Sequence, residues 1–165
     1  MRALIVSDTH RHNENLEIVL KKVGHIDMLI HCGDAEGTEE QIRSLINCPM
    51  CIVAGNNDFF SRLPDDAFFD FEGRKILLTH GHYQHVSVGV ERLVQEGLSR
   101  GADIIIYGHT HRPMMDIRNG IVVLNPGSIS YPRQADRVPT YMIMETDKYG
   151  DVHYTLHYFR KHFPA

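Results

Sequence analysis

Aspartate, histidine and asparagine recur along this chain in short polar clusters, each placed directly after an apolar run. Leu4-Ile5-Val6-Ser7 leads into Asp8-Thr9-His10, and Met28-Leu29-Ile30-His31 into Cys32-Gly33-Asp34. Met50 to Ala54 leads into Gly55-Asn56-Asn57-Asp58, and Ile76 to Thr79 into His80-Gly81-His82. Ile104 to Tyr107 leads into Gly108-His109-Thr110-His111, and Val122 to Leu124 into Asn125-Pro126-Gly127-Ser128. Carboxylate, imidazole and amide donors without thiolate suit a divalent ion of intermediate hardness: Mn²⁺, Fe²⁺, Co²⁺, Ni²⁺ or Zn²⁺. Two Asp, one Asn and four His exceed what one tetrahedral ion needs, and two ions sharing a carboxylate fit better. Two ions about 3.5–4 Å apart can bind a bridging hydroxide as nucleophile and clamp phosphoryl oxygens. Their charge also supplies the electrostatic stabilisation that phosphoryl transfer chiefly needs.

For these clusters to meet, each run must be a strand with its cluster at the carboxyl end, where ligand sites of open α/β sheets lie. Glycines 33, 55, 81, 108 and 127 let the backbone turn sharply or approach closely there. Leu16, Val19, Leu20 and Val23 make one helical face, closed by Gly24. Thr38 to Gln41 has capping-box spacing and precedes Ile42, Leu45 and Ile46, which predicts a second helix. Val90, Leu93, Val94 and Leu98 predict a third, stopped by Gly101. Met114–Arg118 and Ile121–Leu124 flank Asn119-Gly120, a type I′ hairpin signal. Tyr141–Thr146 and Val152–Phe159 read as a further hairpin through Lys148-Tyr149-Gly150. No repeat or linker divides the chain, so residues 1–165 are expected to form one α/β domain of mixed sheets with helices outside.

Composition narrows the partners. The 165 residues carry a net charge of −4, which offers no basic field for generic binding of nucleic acid or of an acidic membrane. No apolar run approaches the roughly 20 residues of a membrane span, and the first run reaches Ser7-Asp8 too soon for a secretory signal. Three cysteines, an odd count, point to a reduced, cytoplasmic setting. Twelve histidines with no tryptophan are the compositional anomaly, and they point to metal.

Asp8-x-His10, Gly33-Asp34, Gly55-Asn56-x-Asp58, His80-Gly81 and Gly108-His109-x-His111 resemble the calcineurin-like metallophosphoesterases in type, order and spacing. The short chain and the stretch from Leu124 to Ser130 resemble the small YfcE-type phosphodiesterases within that superfamily. The resemblance implies an αββα sandwich, two mixed β-sheets flanked by helices. It implies one ion, foremost Mn²⁺, on Asp8, His10, Asp34 and His111, and a second on Asp34, Asn56, His80 and His109, with Asp34 bridging. The activity implied is hydrolysis of a small phosphodiester by a metal-bound hydroxide. A phosphomonoesterase with the same site is the alternative, as is a non-catalytic scaffold of the retromer-subunit type, which such chains resemble after losing ligand histidines. Every ligand position is filled here. Larger members carry a histidine where this chain has Asn57, and an amide cannot act as a general acid. Asp34, Asn57 and His82 are therefore the candidate catalytic residues, His82 being the first candidate for a leaving-group acid.

The other histidines carry less. His12 and His85 are expected at the surface, His25, His153, His157 and His162 as structural or exposed, and His31 against a core layer. Cys32 reads as a small buried hydrophobe. Arg11, Arg112 and Arg133 flank the motif loops and are expected in solvent, with substrate phosphate the sharper alternative. Phe59, Phe60, Phe68 and Phe69 could serve core or interface, and homo-oligomerisation stays open.

Overall fold

A computed structural model describes residues 1–160. In chain order the elements are β1 (Arg2–Val6), α1 (Glu14–Val23), β2 (Met28–His31), α2 (Glu39–Ser44), β3 (Met50–Ile52), β4 (Asp66–Phe71) and β5 (Arg74–Thr79). They continue through α3 (Glu91–Arg100), β6 (Ile104–Ile106), β7 (Pro113–Arg118), β8 (Ile121–Pro126), β9 (Thr140–Thr146) and β10 (Val152–Tyr158).

The strands form two five-stranded sheets, ordered β10-β9-β1-β2-β3 and β4-β5-β6-β8-β7. In β1, Ala3 and Ile5 face the layer between the sheets, while Leu4 and Val6 face the outer layer with Leu16 and Val19 of α1. A strand buried on both faces must be apolar throughout, which is why the site-bearing runs read as continuous rather than alternating. Ile42 of α2 joins α1 over the first sheet, and Leu93 and Val94 of α3 cover Leu77, Ile105 and Val123 of the second. The expected αββα sandwich of two mixed sheets flanked by helices is observed. Pairing is parallel through β1, β2 and β3 and again through β5, β6 and β8. These six strands are the six apolar runs. The antiparallel additions, β9–β10, β4 and β7, lie at the edges.

Several local expectations change. Thr38 does not cap α2: its hydroxyl donates to the Ala35 carbonyl at 2.8 Å, and the helix ends at Ser44, leaving Leu45 and Ile46 in the following turn. Strand β4, not expected from the sequence, pairs antiparallel with β5 and turns Ala67, Phe69 and Phe71 to the inner layer. Phe69 packs on the inner layer, whereas Phe68, Phe59 and Phe60 are exposed. His25, His12, His85 and His153 lie at the surface, His31 is buried, and His162 lies outside the described residues. His157 stacks on Tyr141 at 5.0 Å. Among the described residues no helix is long and apolar enough to cross a membrane.

Candidate metal centre

All seven expected ligands converge at the carboxyl ends of the two parallel strand sets. Asp8, His10, Asp34 and His111 each offer a donor atom within 4.8 Å of the others. His111 Nε2 lies 3.1 Å from Asp8 Oδ1 and 3.2 Å from His10 Nε2, and His10 Nε2 lies 3.7 Å from Asp34 Oδ2. The same Asp34 Oδ2 stands 3.5 Å from His80 Nε2. Asn56 Oδ1 sits 3.1 Å from His80 Nε2 and 2.8 Å from His109 Nδ1. Two ligands each about 2.1 Å from one ion stand roughly 3.0 Å apart at a right angle and about 3.4 Å at the tetrahedral angle, so these separations match a donor set around a cation. Asp34 lies between the two groups.

Outer hydrogen bonds set the orientation of three histidines. Nδ1–H donates to Glu36 Oε1 from His10 at 2.6 Å, to the Cys32 carbonyl from His80 at 2.7 Å, and to the Tyr131 carbonyl from His111 at 2.6 Å. Each ring thus turns Nε2 inward, the arrangement by which outer partners fix the tautomer of a metal-ligating histidine. Asp8 Oδ1 is buried without a hydrogen-bond donor, and Asn56 Oδ1 faces the lone pair of His80. Acceptors turned on one another in a buried space fit a cation. Burial opposes charge on Asp8, Asp34 and His80. His111 and His80 nevertheless hold Asp8 below its ordinary value, and His80 and Asn57 hold Asp34 well below the carboxylate range. Asp34 and Asp8 raise His80.

The loops are tied to one another. The Asp8 amide donates to the Gly33 carbonyl at 3.1 Å and the His10 amide to the Asp34 carbonyl at 2.9 Å. Asp58, quoted in a motif without a role, accepts from the amides of Asp34, Gly55 and Glu36 at 2.8, 2.7 and 2.6 Å and so splices the β2 and β3 loops. Gly55 packs against Asp34 so closely that a Cβ would collide with its carboxylate and amide. Glu36 and Tyr131 were missed from sequence: the first has no motif and the second contributes only a carbonyl.

Asn57 and His82 differ from expectation in environment. The Asn57 amide and side-chain Nδ2 both donate to Asp34, at 2.9 and 2.7 Å, so Asn57 orients the shared carboxylate. His82 stands 5.4 Å from His80 and 6.2 Å from His109, ring to ring, and its ring lies against Tyr83 at 4.0 Å. Its Nδ1 is buried without a partner, and burial together with His80 lowers its pKa. Burial pushes the Cys32 thiol well up, which excludes a thiolate nucleophile there. Arg11, Arg112 and Arg133 are exposed.

Two cavities open beside the cluster. One of about 540 Å³ is lined by His10, His111, Arg11, Tyr131, Arg133 and Arg137. The other, about 440 Å³, is lined by Asn56, Phe59, His82 and Tyr83.

An αββα sandwich with an Asp/His/Asn donor cluster at its strand ends defines a class of metal-site α/β proteins. Residues 1–149 match the calcineurin-like phosphoesterase superfamily domain, and the chain belongs to that family. It is 34% identical over 145 residues to the probable metallophosphoesterase YsnB of Bacillus subtilis, covering 87% of this chain and 83% of that protein. It is 29% identical over 166 residues to phosphodiesterase MJ0936 of Methanocaldococcus jannaschii, covering 90% and 95%. The solved structure of a Vps29 single mutant from Entamoeba histolytica superposes with a TM-score of 0.77 at 26% identity, covering 97% of this chain and all of that one. The resemblance drawn from the motifs holds at the level of the family.

Proposed function

We propose that the chain is a metal-dependent phosphodiesterase acting on small diesters at a two-cation site. Asp8, His10, Asp34 and His111 would hold one ion, and Asp34, Asn56, His80 and His109 the other. Bound divalent cations supply water of lowered pKa at neutral pH and positive charge against the phosphoryl oxygens. The observation that carries the diester is the pair of cavities, one on each side of a single cluster, so that each arm of a diester has its own space. The name of MJ0936 supports the same choice.

Around that centre the chain's residues divide the work. Asn57 and Asp58 hold Asp34 and its loop in register. His82 lines the aromatic cavity and meets the leaving oxygen there. Its lowered pKa makes the imidazolium a minority form near pH 7, so stable leaving groups such as aryl oxides depart fastest. Completeness of the ligand set favours the enzyme over the scaffold, and Mn²⁺ and a cytoplasmic location complete the proposal. Metal analysis together with hydrolysis of bis(4-nitrophenyl) phosphate, with and without added Mn²⁺, tests it. Bound metal with metal-dependent release of nitrophenolate is expected. Loaded protein that leaves the diester intact would return the chain to the scaffold reading, and turnover of aryl phosphomonoesters alone would return it to the monoesterase.

A further inference from the structure

The larger cavity carries an uneven charge. Arg11 pairs with Glu36 at 3.3 Å, and Glu36 also accepts from His10, so their charges offset one another. Arg133 and Arg137 line the same cavity and have no ion-pair partner among the described residues. Two uncompensated guanidinium groups therefore face one space beside the cluster, in a chain whose net charge is −4.

Their loop is built rather than loose. The Arg133 amide donates to the His111 carbonyl at 3.0 Å, and the Ser130 hydroxyl to the His12 carbonyl at 2.7 Å. The Tyr131 amide donates to Ser128 Oγ at 2.7 Å, and Ser128 in turn donates to the Asp8 carbonyl at 2.8 Å. The Arg137 amide closes the turn on the Gln134 carbonyl at 3.1 Å, with Arg137 itself at φ +53°. The Arg133 backbone is thus held against the loop that carries His111, and Arg137 is set by the turn that follows it. The opposite cavity has Phe59 and Tyr83 at its wall and no arginine or lysine. The two arms of a diester would meet unlike surroundings, cationic on the His10 side and aromatic on the His82 side.

We propose that the cavity between His10, Tyr131 and Arg137 is a subsite for a phosphate monoester group on the non-leaving arm of the substrate. The substrate class is then a phosphodiester that bears a second, terminal phosphate, and the Arg133 and Arg137 guanidinium groups pair with that group through charge-assisted hydrogen bonds. This rests on the phosphodiesterase reading and narrows it.

The test compares two 4-nitrophenyl alkyl phosphates with the same short alkyl arm, one ending in a phosphonate and the other in a hydroxyl. The metal-loaded protein should cleave the phosphonate-armed ester with about tenfold higher kcat/KM, a modest factor because both arginines reach solvent. The advantage should shrink with added salt as screening sets in. Arg133→Gln with Arg137→Gln should bring the ratio near one, whereas Arg92→Gln on α3 should keep it. Equal kcat/KM for the two esters in the unmodified protein overturns the subsite and leaves the phosphodiesterase standing. If neither ester is cleaved, the phosphodiesterase reading fails on its own. Calorimetric binding of the non-cleavable 2-phosphonoethyl methyl phosphate then decides the subsite, supported by binding lost in the double variant and overturned by binding that is absent or unchanged.

Discussion

Left-handed backbone is shared by two hairpin turns and the metal-centre loops, and the residues that adopt it there differ. The β4–β5 and β7–β8 hairpins turn through Glu72-Gly73 (φ +52° and +81°) and Asn119-Gly120 (φ +51° and +82°). A type I′ turn needs positive φ at both central residues, and glycine and asparagine meet that need cheaply, with Glu72 the one costlier residue of the four. At the metal-centre loops the same region is occupied by Asp8 (+56°), His10 (+46°), Asp34 (+59°), Glu36 (+54°), His109 (+67°) and His111 (+56°). A side chain there costs roughly 1–2 kcal/mol per residue, and such strain persists only where surrounding structure enforces it. The hairpins use the geometry to reverse the chain. The loops use it to aim donors inward, and the three apolar layers supply the stability that holds them so.

Removing a donor should break that contrast most severely. Asp34→Asn takes the charge from between the two donor groups, and loss of several kcal/mol of transition-state stabilisation would lower kcat/KM on the order of 10³-fold. Thermal unfolding that still shifted upward with Mn²⁺ as far as in the unmodified protein, with two metals retained, would sink the shared-carboxylate assignment.

A second prediction concerns the buried support beneath the loops. The Gly33 amide donates to His31 Nδ1 at 3.2 Å, so His31 carries its proton on Nε2, beside Thr9 Oγ1 at 3.2 Å. Full burial lowers its pKa to about 4. Unfolded histidine titrates near 6.5, so between those values the unfolded chain binds more protons and stability falls as pH falls. His31 should account for about 3 kcal/mol of the loss by pH 4. His80, raised rather than lowered, acts in the opposite sense and above pH 6.5. Denaturant unfolding in chelator at pH 7 and 4.5 should show a smaller acid loss in His31→Gln, and equal losses would mean that His31 is not held neutral.

These residues also mark how far the sequence could be read. The six strand ends were legible because strands buried on both faces must be apolar and each stops at a polar cluster. Asn119-Gly120 and Gly101 were legible because positive φ restricts the residue. Strand β4 was not: Ala67, Phe69 and Phe71 alternate toward the inner layer, but Phe68 is apolar on the opposite face and blurs the pattern. Thr38 looked like a cap, but tertiary placement turned its hydroxyl back to Ala35. The candidate ligands were legible as a set, whereas the roles of Glu36, Tyr131 and Asn57 depend on contacts across 20 residues or more.

Glu36 gives a sharper form of the same comparison, since among the seven candidate ligands its carboxylate touches His10. Glu36→Gln keeps a hydrogen-bond acceptor for His10 Nδ1–H but removes the charge, and outer-partner changes of this kind typically lower metal affinity about 10–100-fold. A metal titration followed by calorimetry should show one weakened step and one preserved step. Two steps weakened alike would mean that the donor groups do not bind separately.

The smallest effect should come from Gly120→Ala, the mild member of a matched pair of glycines. Gly120→Ala places a side chain at φ +82° with nothing within 4 Å of the new Cβ, so its cost is backbone strain alone, about 1 kcal/mol. The hairpin is remote from the donors, and hydrolysis should not change. Gly55 is the converse: its φ is not left-handed, yet a Cβ there meets the Asp34 carboxylate and amide. Gly55→Ala should therefore displace the shared carboxylate and lower hydrolysis severely, with metal affinity falling in parallel. Chemical denaturation and turnover measured on both variants separate the two uses of glycine. If Gly120→Ala lost activity, or Gly55→Ala kept it, the division between turns that only reverse the chain and loops that aim donors would not hold.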